Sequence, residues 1–410
     1  MSKLDELIKK YCPDGVEYNA LDEVIISLNT GLNPRKFFKL NTNDAKNYYI
    51  TIREIHNNKI QITDSTDKIN DDALRLCNNR SNLDKGDILF SGTGTIGEIA
   101  LIEDKPYNWN IKEGVYAIKP IQKMIISKYL MYILQTDTIR TAYMKKVAGG
   151  TVKSIPMKDL KKITIPVPPL PVQEEIVRIL DSFTSLTAEL QAELQARKKQ
   201  YEYYRHKLLT NIPNAQIVEL RNVVKKSTAG GTPKKGMPEF YDHATIPWIR
   251  TQDVHFNEIT KVNSYITEIA VQKTSAKWIP ENCVIVAISG ASAGRCAINK
   301  IKATTNQHCL NLEIDSTKAI YKYIYYCIYD QFNELISLKQ GARGDLNSSL
   351  ILGIKIPVPS LKEQKRIINI LDRFDRLCND ITTGLPAEIA ARQKQYEYYR
   401  DKLLTFKKLS

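Results

Sequence analysis

A long internal duplication constrains this chain more than any other feature. Residues 165–183 read IPVPPLPVQEEIVRILDSF and return at 356–374 as IPVPSLKEQKRIINILDRF. Residues 196–210, ARKKQYEYYRHKLLT, return at 391–405 as ARQKQYEYYRDKLLT. Chance does not produce runs of this kind, so the two halves share a fold. A weaker match lies upstream, where YYITIREIHNNKI (48–60) parallels PWIRTQDVHFNEI (247–259), setting Ile50 over Ile249 and His56 over His255. DILFSGTGTIG (87–97) parallels VIVAISGASAG (284–294) with one residue gapped. Each half is therefore a segment of about 150 residues, rich in short β-like runs and turns, followed by a long helix. The expected fold class is α+β, divided as 1–164, 165–212, 213–355 and 356–410.

The helices announce themselves. The proline-rich entries IPVPPLP and IPVPSL cannot be helical and act as stop and start signals. In the first copy Ile176, Leu180, Phe183, Leu190, Leu194, Tyr201, Tyr204 and Leu208 keep a spacing of three and four, with Thr187 and Arg197 in the two remaining places. This is a narrow heptad seam. In the second copy the seam runs Ile367, Leu371, Phe374, Cys378, Ile381 and resumes at Ile389, Tyr396, Tyr399 and Leu403. Gly384, Leu385 and Pro386 lie between, so the first helix should be continuous and the second interrupted. Two matching seams would bury against each other; the competing reading packs each helix on its own globular segment. Within the first helix AELQ occurs twice in tandem, Ala188 to Gln191 and Ala192 to Gln195. Helix propensity alone accounts for it, and so does a unit whose copy number sets helix length.

Composition narrows the partner. A hydrophobic share of 43% with 25% charged residues allows a real core. Against 45 acidic residues stand 59 basic ones, a net charge of +14. Such a balance favours a polyanion, because Lys and Arg set against phosphates release condensed counterions. No apolar run approaches the roughly 18 residues of a spanning helix, and the opening MSKLDELIKKYCPDG has no secretory apolar core. No membrane partner and a cytoplasmic location are expected. Seven cysteines without a CxxC pair read as reduced thiols and no metal site. Catalytic signals are missing too. No NPPY-like or DPPF-like run appears, and SGTGTIG is followed by no GK[ST], so it reads as a turn rather than a phosphate cradle.

Taken together, these features resemble the specificity subunits of type I restriction-modification enzymes. The resemblance rests on the two proline-rich boundaries, QEEIVRILDSF and EQKRIINILDRF, the paired RKKQYEYYRHKLL and RQKQYEYYRDKLL, PWIRTQDV, the AGGTP turn (229–233) and LDELIKKYCPDGVEY (4–18). It implies two target recognition domains alternating with two conserved helical regions that form an antiparallel coiled coil in a pseudo-twofold arrangement. Each domain would read one half of an asymmetric, bipartite double-stranded DNA target. Two methyltransferase subunits would dock on the helices, and restriction subunits would join them. S-adenosylmethionine, ATP and magnesium would then belong to the partners, with no cofactor and no catalytic residue in this chain. In that family the tetrapeptide copies tune the gap between half-sites. The first half departs from the pattern: it has no clear counterpart of PWIRTQDV, having YYITIREI instead, and GLNP stands where the second half has GGTP. Two rivals remain, a stand-alone methyltransferase or nuclease with dispersed active-site residues, and a coiled-coil scaffold without base readout.

Base readout calls for Arg or Lys against guanine and Asn or Gln against adenine, while phosphates accept any cation. In the second half Lys234, Lys235, Arg250, Gln252 and His255 form the best cluster, with Arg343 more loosely placed. The corresponding places in the first half offer Arg35, Lys36, Arg53, His56 and Lys59, with Lys153 near the GGT turn. On the helices Tyr201, Tyr204, Tyr396 and Tyr399 fall on the seam and read as core. Tyr203, Arg205, Tyr398 and Arg400 are the candidate partner contacts.

Overall fold

The computed structural model describes residues 2–339 and 345–409. The chain is α+β and divides into two compact units, one of residues 1–190 with 389–410, the other of 191–388. The last helix thus completes the first unit, and each unit contains one copy of every duplicated feature.

In the first unit the N-terminal helix α1 (Lys3–Tyr11) precedes an antiparallel four-stranded sheet in the order Ile25–Thr30, Val115–Pro120, Ile88–Ser91, Ile99–Leu101. A smaller sheet pairs β1 (Asn47–Ile50) antiparallel to Lys68–Ile69 and parallel to β2 (Trp109–Ile111). The second unit repeats the plan. Its main sheet runs Val224–Ala229, Cys309–Ile314, Val284–Ala287, Cys296–Asn299, Glu258–Ile259. Its smaller sheet sets β3 (Ile246–Ile249) antiparallel to Tyr265–Ile266 and parallel to β4 (Ala303–Thr305).

The helices follow the sequence expectation. The first, α2, is continuous over 41 residues from Leu170 to Thr210. The second is interrupted, giving α3 (Leu361–Asn379) and α4 (Leu385–Leu403). The break has a chemical cause. Asp380 accepts bonds from the amide and hydroxyl of Thr382 (2.7 and 2.6 Å) and from the hydroxyl of Thr383 (2.7 Å), closing a local turn that competes with the helix. A Cβ on Gly384 would stand 2.5 Å from the Arg376 carbonyl, so only glycine passes there.

The duplicated signature is explained by a buried glutamine. Gln173 and Gln364 are both wholly buried. Each accepts a backbone bond, from Ile126 at 2.9 Å or Ile320 at 2.8 Å. Each donates to the proline carbonyl five residues back, Pro168 at 2.7 Å or Pro359 at 2.9 Å. Two aspartates do the same work further along, Asp181 accepting from Tyr132 and Asp372 from Tyr326, both at 2.6 Å. These bonds lock the start of each long helix onto its own unit and satisfy polar groups that burial would otherwise strand.

The seams do pack helix on helix within each unit. Phe183 of α2 stacks on Tyr399 of α4 (5.5 Å between ring centroids) in the first. In the second, Phe374 of α3 stacks on Tyr201 and Tyr204 of α2 (6.2 and 5.7 Å). The first half of each helical copy therefore meets the last half of the other. The tandem AELQ lies where α2 leaves one unit and enters the next; its alanines, glutamates and glutamines are exposed and its leucines half-buried. Among the described residues no helix is long and apolar enough to cross a membrane.

Candidate nucleic-acid interface

In the first unit β1 is followed by Thr51, whose amide and hydroxyl both donate to Glu54 (2.8 and 2.7 Å). That closes a short 3-10 turn, Ile52–Glu54, which projects Arg53. Arg53 pairs with Asp67 at 2.6 Å, and the exposed His56 ring donates back to the Arg53 carbonyl. The GLNP turn approaches the same strands: a Cβ on Gly31 would overlap the Ile111 carbonyl at 1.8 Å, so glycine is required. From this turn the chain enters the helical turn Pro34–Phe37, which contains Arg35 and the exposed Lys36. These segments surround an open cleft of about 920 Å³ lined by Pro34, Arg53, Arg80, Thr93, Lys112 and Val152 among others. Lys153 is exposed between two lining residues, Val152 and Ser154, and its carbonyl holds the Gly94 amide at 2.9 Å.

The second unit builds the same strand end. Arg250 follows β3, its amide donating to Asp253 at 2.8 Å as that of Thr51 does to Glu54. The structure thus bears out the weak alignment of YYITIREI with PWIRTQDV: Thr51 answers Arg250, Arg53 answers Gln252 and His56 answers His255. The match is weak in sequence because what persists is a turn closed by a carboxylate, Glu54 or Asp253, while the projecting side chains change. Arg250 is half-buried over the Trp248 ring at 5.5 Å, and the Trp248 indole donates to Gly231 at 3.1 Å. Gln252 is exposed; the exposed His255 lies 3.2 Å from Arg295. Lys234 and Lys235 are exposed beyond the GGTP turn, which Tyr241 braces by donating to the Pro233 carbonyl at 2.6 Å. Arg343 lies outside the described residues.

Three basic residues escaped the sequence reading. Arg80 and Lys112 are exposed and line the first cleft, and among the described residues neither has an ion pair or side-chain hydrogen bond. Arg295 reaches the strand end only through its contact with His255. No repeat or motif marks any of them, since each comes from a different element. Lys59 separates from the rest: it lies 3.8 Å from Glu103, and its counterpart is Glu258, ion-paired to Lys322 at 3.0 Å. The correspondence follows from the preceding carbonyls, Asn58 holding Leu101 at 3.1 Å and Asn257 holding Ile298 at 3.0 Å.

A twice-built strand end carrying unlike side chains agrees with comparison to known proteins. The profile of the type I restriction modification DNA specificity domain matches residues 13–197 and again 214–391. The chain belongs to this family. The specificity subunit of the Escherichia coli type I restriction enzyme EcoR124I/EcoR124II is 42% identical over 259 residues, which is 60% of this chain and 64% of that one. A putative type I restriction enzyme specificity subunit of Haemophilus influenzae is 33% identical over 276 residues, 63% of this chain and 68% of that one. A chain solved in work on complex assembly and conformational transition of the type I R-M system shares the fold with a TM-score of 0.64 at 18% identity, over 96% of this chain and 98% of the other. The S subunit from M. genitalium does so at 0.52 and 16%, over 95% and 96%.

On the helices of this specificity-domain chain, the two repeats present the same surface. Tyr203 and Tyr398 are 61% and 60% exposed, each with a lysine ammonium, Lys207 or Lys402, 5.8 Å from its ring. The arginines were expected beside them and are not there. Arg205 is only 8% exposed, bonded to Asp330 at 3.2 Å and packed 3.9 Å over the Tyr329 ring. Arg400 is 9% exposed, 2.9 Å from Asp401 and 5.9 Å from the Tyr396 ring. Both guanidinium groups are held inside their own units by a carboxylate and an aromatic face, unlike the exposed rings of Tyr203 and Tyr398.

Proposed function

We propose that this chain is the DNA-recognition subunit of a type I restriction-modification complex. Each unit reads one half of a bipartite, asymmetric duplex target, and the chain brings methyltransferase and restriction subunits to it. The observation that carries the reading is the strand end built twice with different side chains: Thr51, Arg53 and His56 in one unit, Arg250, Gln252 and His255 in the other. A shared scaffold with changed projecting groups suits two readers of two sequences. Around these strand ends Lys36, Lys153, Lys234 and Lys235 are exposed cations for phosphate contact, with Arg35 beside Lys36 in sequence, and the net charge of +14 strengthens that contact. Tyr203 and Tyr398, one per repeat, suit two copies of one partner, the methyltransferase subunit. The chemistry, with its S-adenosylmethionine, ATP and magnesium, resides on the partners, and the complex works in the cytoplasm.

The test is selection from a random duplex library by the purified chain, paired with mapping of methylated adenines in cells with and without the gene. One bipartite motif should emerge from both. A methylome unchanged by loss of the gene, with partner genes intact, would overturn the proposal. Methylation or cleavage by this chain alone would overturn its non-catalytic part.

A further inference from the structure

If the units are two readers, something must make them read different sequences, and the ends of the paired strands show what. Ile50 of β1 lies opposite Ile111 of β2, and Ile249 of β3 opposite Thr305 of β4. The next residues, Thr51 with Lys112 and Arg250 with Asn306, are therefore neighbours at equivalent places. The backbone bond is also the same: the Lys112 amide donates to Ile50 at 2.8 Å and the Asn306 amide to Ile249 at 2.9 Å.

The chemistry at this pair of positions is exchanged. In the first unit Thr51 is buried against Glu54, while Lys112 is exposed, without an ion pair among the described residues. In the second unit Asn306 is buried at 7% exposure, accepting the His308 amide at 3.2 Å, and Arg250 projects over Trp248. Each strand pair ends in one cation, carried on β2 in the first unit and on β3, the counterpart of the neighbouring strand β1, in the second. Adjacent strands lie about 4.8 Å apart, more than the roughly 3.4 Å between successive base pairs. With the strand-to-strand direction along the DNA axis, a cation moved by one strand meets a different base step.

We infer that Lys112 and Arg250 are specificity-determining residues, each reading a guanine edge in its own half-site, at positions displaced by one or two base pairs between the halves. A lysine needs a fixed base to be selective, and the backbone before Lys112 is fixed. Asn110 is wholly buried, accepts from Ser81 at 2.6 Å and donates to Asn78 at 2.7 Å, tying β2 to the helix Asp71–Ser81. The same helix carries Arg80 to the cleft. Cations approaching the major-groove edge find guanine N7 and O6, the commonest direct contact.

The inference rests on the DNA-recognition reading and is tested on the full chain by selection from a random duplex library at one salt concentration. Lys112→Asn should relax one or two adjacent positions in one half-site, leave the other half-site unchanged and weaken binding to the wild-type site by about tenfold or more. Lys112→Arg should keep the preference. Adding Thr51→Arg to Lys112→Asn rebuilds the second unit's arrangement and should move the preferred guanine by one or two base pairs within that same half-site. Lys112 is exposed, so an unchanged thermal transition will show that its single variants are folded. Thr51 is buried, so the double variant is checked separately by circular dichroism and its thermal transition; the backbone amide at that position keeps the bond to Glu54. Equal weakening on all sequences would mean a phosphate contact and overturn the inference, as would an unchanged motif. A wild-type chain that enriches no bipartite motif would sink the recognition reading, and this inference with it.

Discussion

Replacing Asp330 with alanine removes the carboxylate from a largely buried guanidinium. Arg205 is 8% exposed, the Asp330 side chain 7%, and Arg205 Nη1 already has no bonding partner. Breaking a buried pair from one side costs about 3–5 kcal/mol, because the remaining charge stays desolvated. For a unit the size of residues 191–388, each kcal/mol moves the melting temperature by roughly 2–4 °C. The transition of that unit should therefore fall by roughly 6–20 °C. The repeat supplies the control. Arg400 holds the matching place, but its near partner Asp401 is 31% exposed, and Asp137 stands 3.9 Å away, 85% exposed. Asp401→Ala leaves Arg400 with Asp137 still beside it and should cost less than Asp330→Ala. Differential scanning calorimetry of the full chain compares the two directly, and Arg205→Met with Asp330→Leu should recover most of the lost stability. Equal losses for Asp330→Ala and Asp401→Ala, or a loss below about 1 kcal/mol for the former, would refute the argument from burial.

Three further outcomes are expected. One more AELQ copy after Gln195 adds about 6 Å and about 40° of net rotation to α2, so the unspecified gap should grow by about one base pair, with some slack in DNA twist, and both half-sites should stay unchanged. A two-residue insertion turns the seam by about 200° and should abolish assembly; methylome sequencing reads both, and an unchanged gap in an active four-residue variant would show that this helix is not the ruler. Arg178 and Lys3 hold the buried Glu175 carboxylate down, to about 2 from 4.5, so its stabilising effect is complete above pH 4.5 and lost as pH falls through about 2. Acid titration of unfolding should show Glu175→Gln less stable than wild type at pH 6 and converging with it near pH 2; a constant difference would contradict the assignment. Tyr203→Ala and Tyr398→Ala should each change stability by no more than about 0.5 kcal/mol, yet each should release one of two methyltransferase subunits in native mass spectrometry of the complex. Retention of both copies by both variants would remove these tyrosines from the docking surface.

Much of the plan was legible in the residues because it is repeated or local. The duplication declared two equivalent units, and the spacing of Ile176, Leu180 and Phe183 declared a helix with a narrow seam. Gly384 and Pro386 placed the interruption, since a local turn can close there without help from distant chain. The proline-rich entries and their glutamines were visible as signatures, although only the buried bonds of Gln173 and Gln364 explain why they recur. Tertiary structure decided the rest. Arg205 reads as a surface residue until Asp330, 125 residues away, arrives to bury it. Thr51 and Arg250 align in sequence but share no chemistry, and only the turn closed by Glu54 or Asp253 shows what the two places have in common. Arg80 and Lys112 reach one cleft from a helix end and a strand end that no periodicity connects. Chain order likewise conceals that the last helix completes the first unit. A repeated sequence declares equal halves, but which half of each helix meets which is set by stacks such as Phe183 on Tyr399, made between segments far apart in the chain.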